Sequence, residues 1–129
     1  MNLGRDTFQK TERLCSRKII SDLFTDGHII YTTAFKAVWL ISPATLPWPA
    51  LAAFSVSKKI FRKAVTRNLI KRRMREAYRK MKIHLYNFLN AENIQICLII
   101  IYTGEKIPDY LTIEKKMKEL LDKLLSGVR

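Results

Sequence analysis

The apolar positions of the chain fall into six groups, and the period of each group names an element. Between Arg17 and Phe24, the residues Ile19, Ile20, Leu23 and Phe24 recur as on one face of an amphipathic helix, with Ser16 placed to cap it and Gly27 to stop it. Phe35 to Ser42 alternates as a strand, with Phe35, Ala37, Trp39 and Ile41 on one face. Pro43, Pro47 and Pro49 then make a loop, and Leu51 to Ser57 reads as a second strand. From about Ala64 a long helix follows, in which Ile70, Met74, Ala77, Met81, Leu85 and Phe88 recur in steps of three and four. Tyr78 sits at the edge of that stripe and reads as structural. Ile94 to Thr103 is apolar and β-branched throughout, as in a central strand covered on both faces. Pro108 marks a turn, and Ile113, Met117, Leu120, Leu121 and Leu124 define a last amphipathic helix. The order α-β-β-α-β-α predicts an α/β fold, an α+β sandwich around a small sheet. No repeat, low-complexity tract or linker divides the 129 residues, so 1–129 reads as one domain.

Charge changes this picture from a generic fold to a site. The chain carries a net +13, and from Lys58 to Lys82 twelve basic residues face a single acidic one, Glu76. Along the long helix, Arg67, Lys71, Arg75 and Arg79 recur in steps of four on a face other than the apolar stripe, flanked by Asn68, Arg72 and Lys82. A solvated helix face ordinarily mixes Glu with Lys, because like charges at i, i+4 repel. A block of one sign therefore predicts a polyanionic partner. A basic amphipathic helix can also lie on a membrane, but this stripe is needed by the sheet. A rigid helix suits RNA instead: it holds guanidinium forks at fixed intervals along phosphates, and Asn68 offers a donor and an acceptor to a base edge or a 2′-hydroxyl.

The residues from Phe54 to Lys80 read FSVSKKIFRKAVTRNLIKRRMREAYRK. A strand ending in Ser-Val-Ser-Lys-Lys, a short basic turn, Ala-Val, and then Arg-Asn-x-x-Lys-Arg-x-x-Arg-Glu-Ala resembles the signature of the bacterial ribonuclease P protein family. Arg67, Asn68, Lys71, Arg72, Arg75, Glu76 and Ala77 fill its places. Upstream, Arg13 and Leu14, then Leu23, Phe24 and Gly27, resemble the family's first helix and the glycine after it. The resemblance implies a four-stranded sheet, which adds a strand to the three read from pattern, and a left-handed crossover at the long helix. It also implies an accessory subunit of an endoribonuclease that removes the 5′ leader of precursor tRNA. In that assembly the catalytic RNA performs the hydrolysis with Mg²⁺ held mainly by RNA and substrate, and this chain supplies no catalytic residue and binds no metal tightly. The partners implied are the catalytic RNA and precursor tRNA, with no membrane and no obligate protein partner.

Carried over residue by residue, the RNA-binding set comprises Lys58, Lys59, Arg62, Arg67, Asn68, Lys71, Arg72, Arg75 and Arg79. A cleft between the first helix and the sheet holds the single-stranded leader through Ile20, Phe24, Lys36 and Val38. Three departures from the family pattern bear on this: Leu69 stands where a second arginine is common, the turn Ile60–Lys63 runs one residue long, and Ile20 replaces one of two aromatics on the first helix. Phe24 fits core and cleft equally, Trp39 and Phe35 fit the core better, and Trp48 reads either as a lid or as an exposed contact. His28 and His84 stand apart from any carboxylate or cysteine at ligand or triad spacing, and no paired acids or P-loop occur. Cys15 and Cys97 match no zinc or redox spacing and read as thiols of a reducing cytoplasm. Met1 to Lys10 lacks the apolar core of a signal peptide, and Ile96 to Tyr102 is too short to span a bilayer. A structural RNA-binding protein of ribosomal type explains the charge equally well, but not the ordered motif.

Overall fold

The computed structural model describes residues 8–128; most of the segment Met1–Lys10 therefore lies outside the described residues. A 3-10 turn at Lys10–Glu12 leads into helix α1 (Arg17–Asp26), strands β1 (His28–Tyr31), β2 (Phe35–Ile41) and β3 (Ala50–Val56), helix α2 (Ala64–Ala91), strand β4 (Ile96–Tyr102) and helix α3 (Tyr110–Val128). The strands form one sheet in the order β1-β2-β4-β3, with β4 antiparallel to β2 and parallel to β3. Helix α2 is thus the crossover between two adjacent parallel strands.

Period-two alternation sorts the sheet into two faces. Phe35, Ala37 and Trp39 of β2, Ala50, Ala52 and Val56 of β3, and Ile96, Leu98, Ile100 and Tyr102 of β4 pack in the larger core with α2 and α3. Val38, Cys97 and Ile99 face the other way, into a smaller core with Leu14 and Leu23 beneath α1. All five apolar residues expected on the last helix are buried. Phe35 and Trp39 are core, and Trp48 closes the core edge, its indole N–H donating to Thr11 Oγ1 at 2.8 Å. The stripe on α2 is wider than its period suggests, because Tyr78, Tyr86 and Leu89 are buried beside Ile70, Met74, Ala77 and Leu85. Lys82 is not on the outward face either: it is buried, and it pairs with the buried carboxylate of Glu12.

The element absent from the sequence pattern is β1, a four-residue edge strand of which only Ile30 is buried. Where α2 ends, Asn93 adopts φ 55°, the Ile94 N–H donates to the Leu89 carbonyl at 2.9 Å, and that of Asn93 to Asn90 at 3.2 Å. This Schellman motif turns the chain back into β4.

Ser16 caps α1 by accepting from the Ile19 N–H at 3.3 Å, and Gly27 ends the helix. A Cβ on Gly27 would lie 2.3 Å from the Leu23 carbonyl oxygen and 2.5 Å from Val38 Cγ1, so only glycine lets the end of α1 sit this close to β2. Gly27→Ala is expected to lower stability by about 1–3 kcal/mol, the range for forcing extra volume into a packed site. Urea unfolding would measure it, and an unchanged midpoint would show that α1 can shift without cost.

Candidate nucleic-acid interface

Two surfaces meet at the C-terminal end of β3. The first is the turn from Ser57 to Lys63 with the outer face of α2. Helix α2 starts without a side-chain cap and with no acidic residue in its first turn. The partial positive charge of a helix start therefore adds to the exposed Lys58, Lys59 and Arg62. Farther along, Asn68 and Arg72 are exposed, and Lys71 and Arg75 are half-buried. Val65, Asn68, Leu69, Arg72 and Arg75 line one shallow depression on this face. Burial first, and then the positive charge of Arg13, hold the Arg75 guanidinium below its ordinary pKa. Arg13 was not among the expected site residues, and only the fold brings it to α2. Its guanidinium lies 5.9 Å from the centre of the Phe8 ring, which packs edge-on against Tyr78.

Not every basic residue of the motif points outward to a ligand. Arg67 Nη1 donates to the carbonyls of Phe61 at 2.9 Å and Arg62 at 2.7 Å, so this side chain clasps the turn before its own helix. Phe61, whose direction the sequence left open, is buried against Tyr102 with ring centres 6.1 Å apart. Arg73 donates to the Pro108 carbonyl and ties α2 to the approach of α3. Arg79 forms an ion pair with Glu76, and its Nε donates to that carboxylate at 3.0 Å. This bond, with the charges of Arg79 and Lys80 behind it, outweighs desolvation and holds the Glu76 carboxyl below its usual range.

Arg67 and Arg72 therefore separate experimentally. Arg67→Ala is expected to cost about 1.5–3 kcal/mol of stability, because two carbonyls lose a charged donor. Arg72→Ala should leave the melting temperature unchanged and weaken RNA binding by about 1–2 kcal/mol. A thermal melt and a filter-binding titration on both variants check the pair; equal stability loss at the two positions would contradict the assignment.

The second surface is the face of the sheet that α1 only partly covers. Strand register aligns two rows across it: Ser55, Ile101, Lys36 and Tyr31, and beside them Ala53, Ile99, Val38 and Ile29. Helix α1 crosses this face with Leu23 buried beneath it. On one flank Lys18, Ile19, Asp22 and Asp26 line a groove with Leu40 to Leu46. Ile20 and Phe24, four residues apart, lie on the opposite flank, toward the two rows. Phe24 is 58% exposed and therefore not core. Lys36 is half-buried in the first row. Val38, expected to meet the leader, is only 1% exposed beneath Gly27; it shapes the floor and presents no surface.

The remaining candidates recede. The His28 ring lies against Trp39, with centres 4.4 Å apart, and His84 lines a groove between α2 and α3. Among the described residues no group of three or more His, Cys, Asp or Glu could hold a metal ion, and no helix is long and apolar enough to cross a membrane. Cys15 is exposed and Cys97 buried, both as free thiols.

A small α/β sandwich with a basic turn and a basic helix face beside a half-open sheet face has the make-up of a nucleic-acid-binding protein. The family described as Ribonuclease P matches residues 8–125, and the chain belongs to it. The ribonuclease P protein component of Porphyromonas gingivalis is 31% identical over 119 residues, covering 92% of this chain and 87% of that protein. That of Chlorobium phaeobacteroides is 28% identical, covering 90% and 86%. Among solved structures, the RNase P protein of Staphylococcus aureus superposes with a TM-score of 0.70 at 23% identity, over 88% of this chain and 94% of the other. The RNase P protein from Thermotoga maritima gives 0.66 at 21% identity, over 86% and 96%. The four-stranded α+β architecture expected from the sequence is the fold of these structures.

Proposed function

We propose that the chain, as the protein subunit of ribonuclease P in the 5′ maturation of tRNA, works by holding two RNAs at once. The turn and outer face of α2, through Lys58, Lys59, Arg62, Asn68, Lys71, Arg72 and Arg75, bind phosphates of the catalytic RNA. Arg67 and Arg79 support that surface, Arg67 by clasping the turn and Arg79 at the end of the basic row. The cleft between α1 and the sheet, walled by Ile20 and Phe24 and floored by Val38 with Lys36 beside it, takes the single-stranded 5′ leader of precursor tRNA. The observation that carries this reading is the continuity of the two surfaces: a basic block that leads onto an apolar cleft, with Asp22 and Asp26 turned to the far flank of α1. Phosphates meet cations on one side and unstacked bases meet an aromatic wall on the other.

The chain contributes binding and charge screening, and the bond-breaking step belongs to the RNA with its Mg²⁺. Its acidic residues suit that division, since Glu76 is engaged by Arg79 and the buried Glu12 by Lys82 and Tyr86. Each phosphate neutralised releases counterions, so the affinity gained falls steeply with salt. The setting is the cytoplasm, where tRNA precursors are made, and no obligate second protein is needed.

Cleavage of precursor tRNA at near-physiological Mg²⁺ tests this, with the chain alone, its cognate RNA alone, and the two mixed. Product that appears or rises sharply only in the mixture is expected. Equal cleavage by the RNA with and without the chain would overturn the reading, as would cleavage by the chain alone.

A further inference from the structure

Phe24 and Tyr31 are the two most exposed phenyl and phenol rings among the described residues, at 58% and 60%. They rise from different elements toward the same face of the sheet, Phe24 from α1 and Tyr31 from the edge strand β1. We propose that Tyr31, with Lys36 beside it, is a second stacking platform at the β1 end of the cleft, and that it takes a base of the single-stranded leader next to the one that meets Phe24. This rests on the reading of the cleft as the leader path.

Four observations converge on it. The Lys36 ammonium lies 5.9 Å from the centre of the Tyr31 ring, so a cation stands at the platform where the phosphate of a stacked nucleotide would need one. Tyr31 and Lys36 are direct partners in the strand register and share a row with Ile101 and Ser55, which continues the cleft floor to the sheet edge. Adjacent strands lie about 4.8 Å apart, so that row spans about 14 Å, room for a few extended nucleotides. The platform is held rigid from behind. The Tyr31 carbonyl accepts from Lys123 Nζ of α3 at 2.7 Å, and the next residue closes a tight hairpin, the Thr32 N–H donating to the Phe35 carbonyl at 2.8 Å. Finally, the Tyr31 ring is left outside the core at 60% exposure, and Ile29, its neighbour in the second row, is also half-exposed, while Ile20 on α1 can pack on a base but cannot stack. A ring left open on an ordered edge, beside a cation and away from Asp22 and Asp26, fits an unstacked base of an anionic strand.

The test uses the reconstituted holoenzyme and precursor tRNAs with leaders of two, four and eight nucleotides. With the eight-nucleotide leader, Tyr31→Ala is expected to weaken substrate binding about tenfold, a modest value for one base–aromatic stack. With the two-nucleotide leader it should change nothing, and Tyr31→Phe, which keeps the ring, should retain most of the long-leader affinity. A melting curve of each variant shows whether the edge strand is intact. Equal loss at every leader length, or no loss at any, overturns the platform. If Phe24→Ala abolishes the dependence on leader length while Tyr31→Ala leaves it, the cleft stands and the platform falls. If the unaltered protein shows no dependence on leader length, the cleft reading falls and the platform with it.

Discussion

Replacing Lys82 with methionine is expected to remove about 3–5 kcal/mol of stability, the cost of leaving one charge of a buried ion pair uncompensated. Lys82 is 3% exposed and Glu12 not at all, so neither has water to turn to. The carboxylate of Glu12 is also bound by the Tyr86 hydroxyl at 2.6 Å and, from within its own turn, by the Gln9 N–H at 2.6 Å. The ammonium of Lys82 lies 5.3 Å and 5.6 Å from the centres of the Tyr86 and Trp48 rings, a setting that favours a cation. Burial raises the pKa of the Tyr86 hydroxyl, which keeps it protonated as a donor. Loss of the lysine strands the carboxylate in this site, and domains of this kind have only about 5–15 kcal/mol to lose. Urea unfolding measures the loss. The double variant Glu12→Gln/Lys82→Met should regain most of it, since no bare charge then remains, and equal stability of single and double variants would show that the pair itself is not what matters.

The consequence reaches the RNA-binding surface. The residues around Glu12 carry Arg13 to its place beside Arg75, and Leu14 donates to the Ala52 carbonyl at 2.9 Å along the edge of β3. Lys82 therefore adds a charged tie to a segment that is otherwise held by the Leu14 bond to β3, by Trp48 on Thr11 and by Tyr86 on Glu12. This is also why its role was hidden in the sequence. A lysine two turns beyond Arg75 in a basic run reads as one more outward cation, and its partner lies 70 residues away. Arg67 misleads in the same way, because its clasp on the turn carbonyls depends on how that turn folds. The helices and the strands β2, β3 and β4 were legible because their signal is local: period and breakers lie within a dozen residues of each other. Strand β1 was not, since four residues with one buried side chain carry too little alternation to stand out. Register likewise decides that Tyr31 stands beside Lys36, and no spacing in the chain encodes it.

The positive charges of the motif thus divide by what holds them. Lys82, Arg67 and Arg73 are spent on structure, Arg79 is paired with Glu76 and Lys80 with Glu114, while Lys58, Lys59, Arg62, Lys63 and Arg72 are exposed and Lys71 and Arg75 half-buried. That division predicts which combination of changes dissects binding from folding. Alanine at Lys59, Arg72 and Arg75 together is expected to weaken binding of the catalytic RNA by about 3–6 kcal/mol, at 1–2 kcal/mol for each charged contact. That is a loss of roughly a hundredfold to ten-thousandfold in affinity. Lys59 lies apart on the turn and should add independently. Arg72 and Arg75, three apart on one face of α2 and lining one depression, are close enough to couple, so the total is expected toward the lower end of that range. The slope of log affinity against log salt should fall by about three, one for each phosphate no longer neutralised. Stability should hold or rise by a few tenths of a kcal/mol, because removing Arg75 relieves its repulsion with Arg13 and with Lys71 one turn before it. Titrations of the triple variant at several salt concentrations, beside its melting curve, decide the matter. An unchanged salt slope would mean that the catalytic RNA docks elsewhere on the protein, and a large fall in melting temperature would move these three residues into the structural group with Lys82.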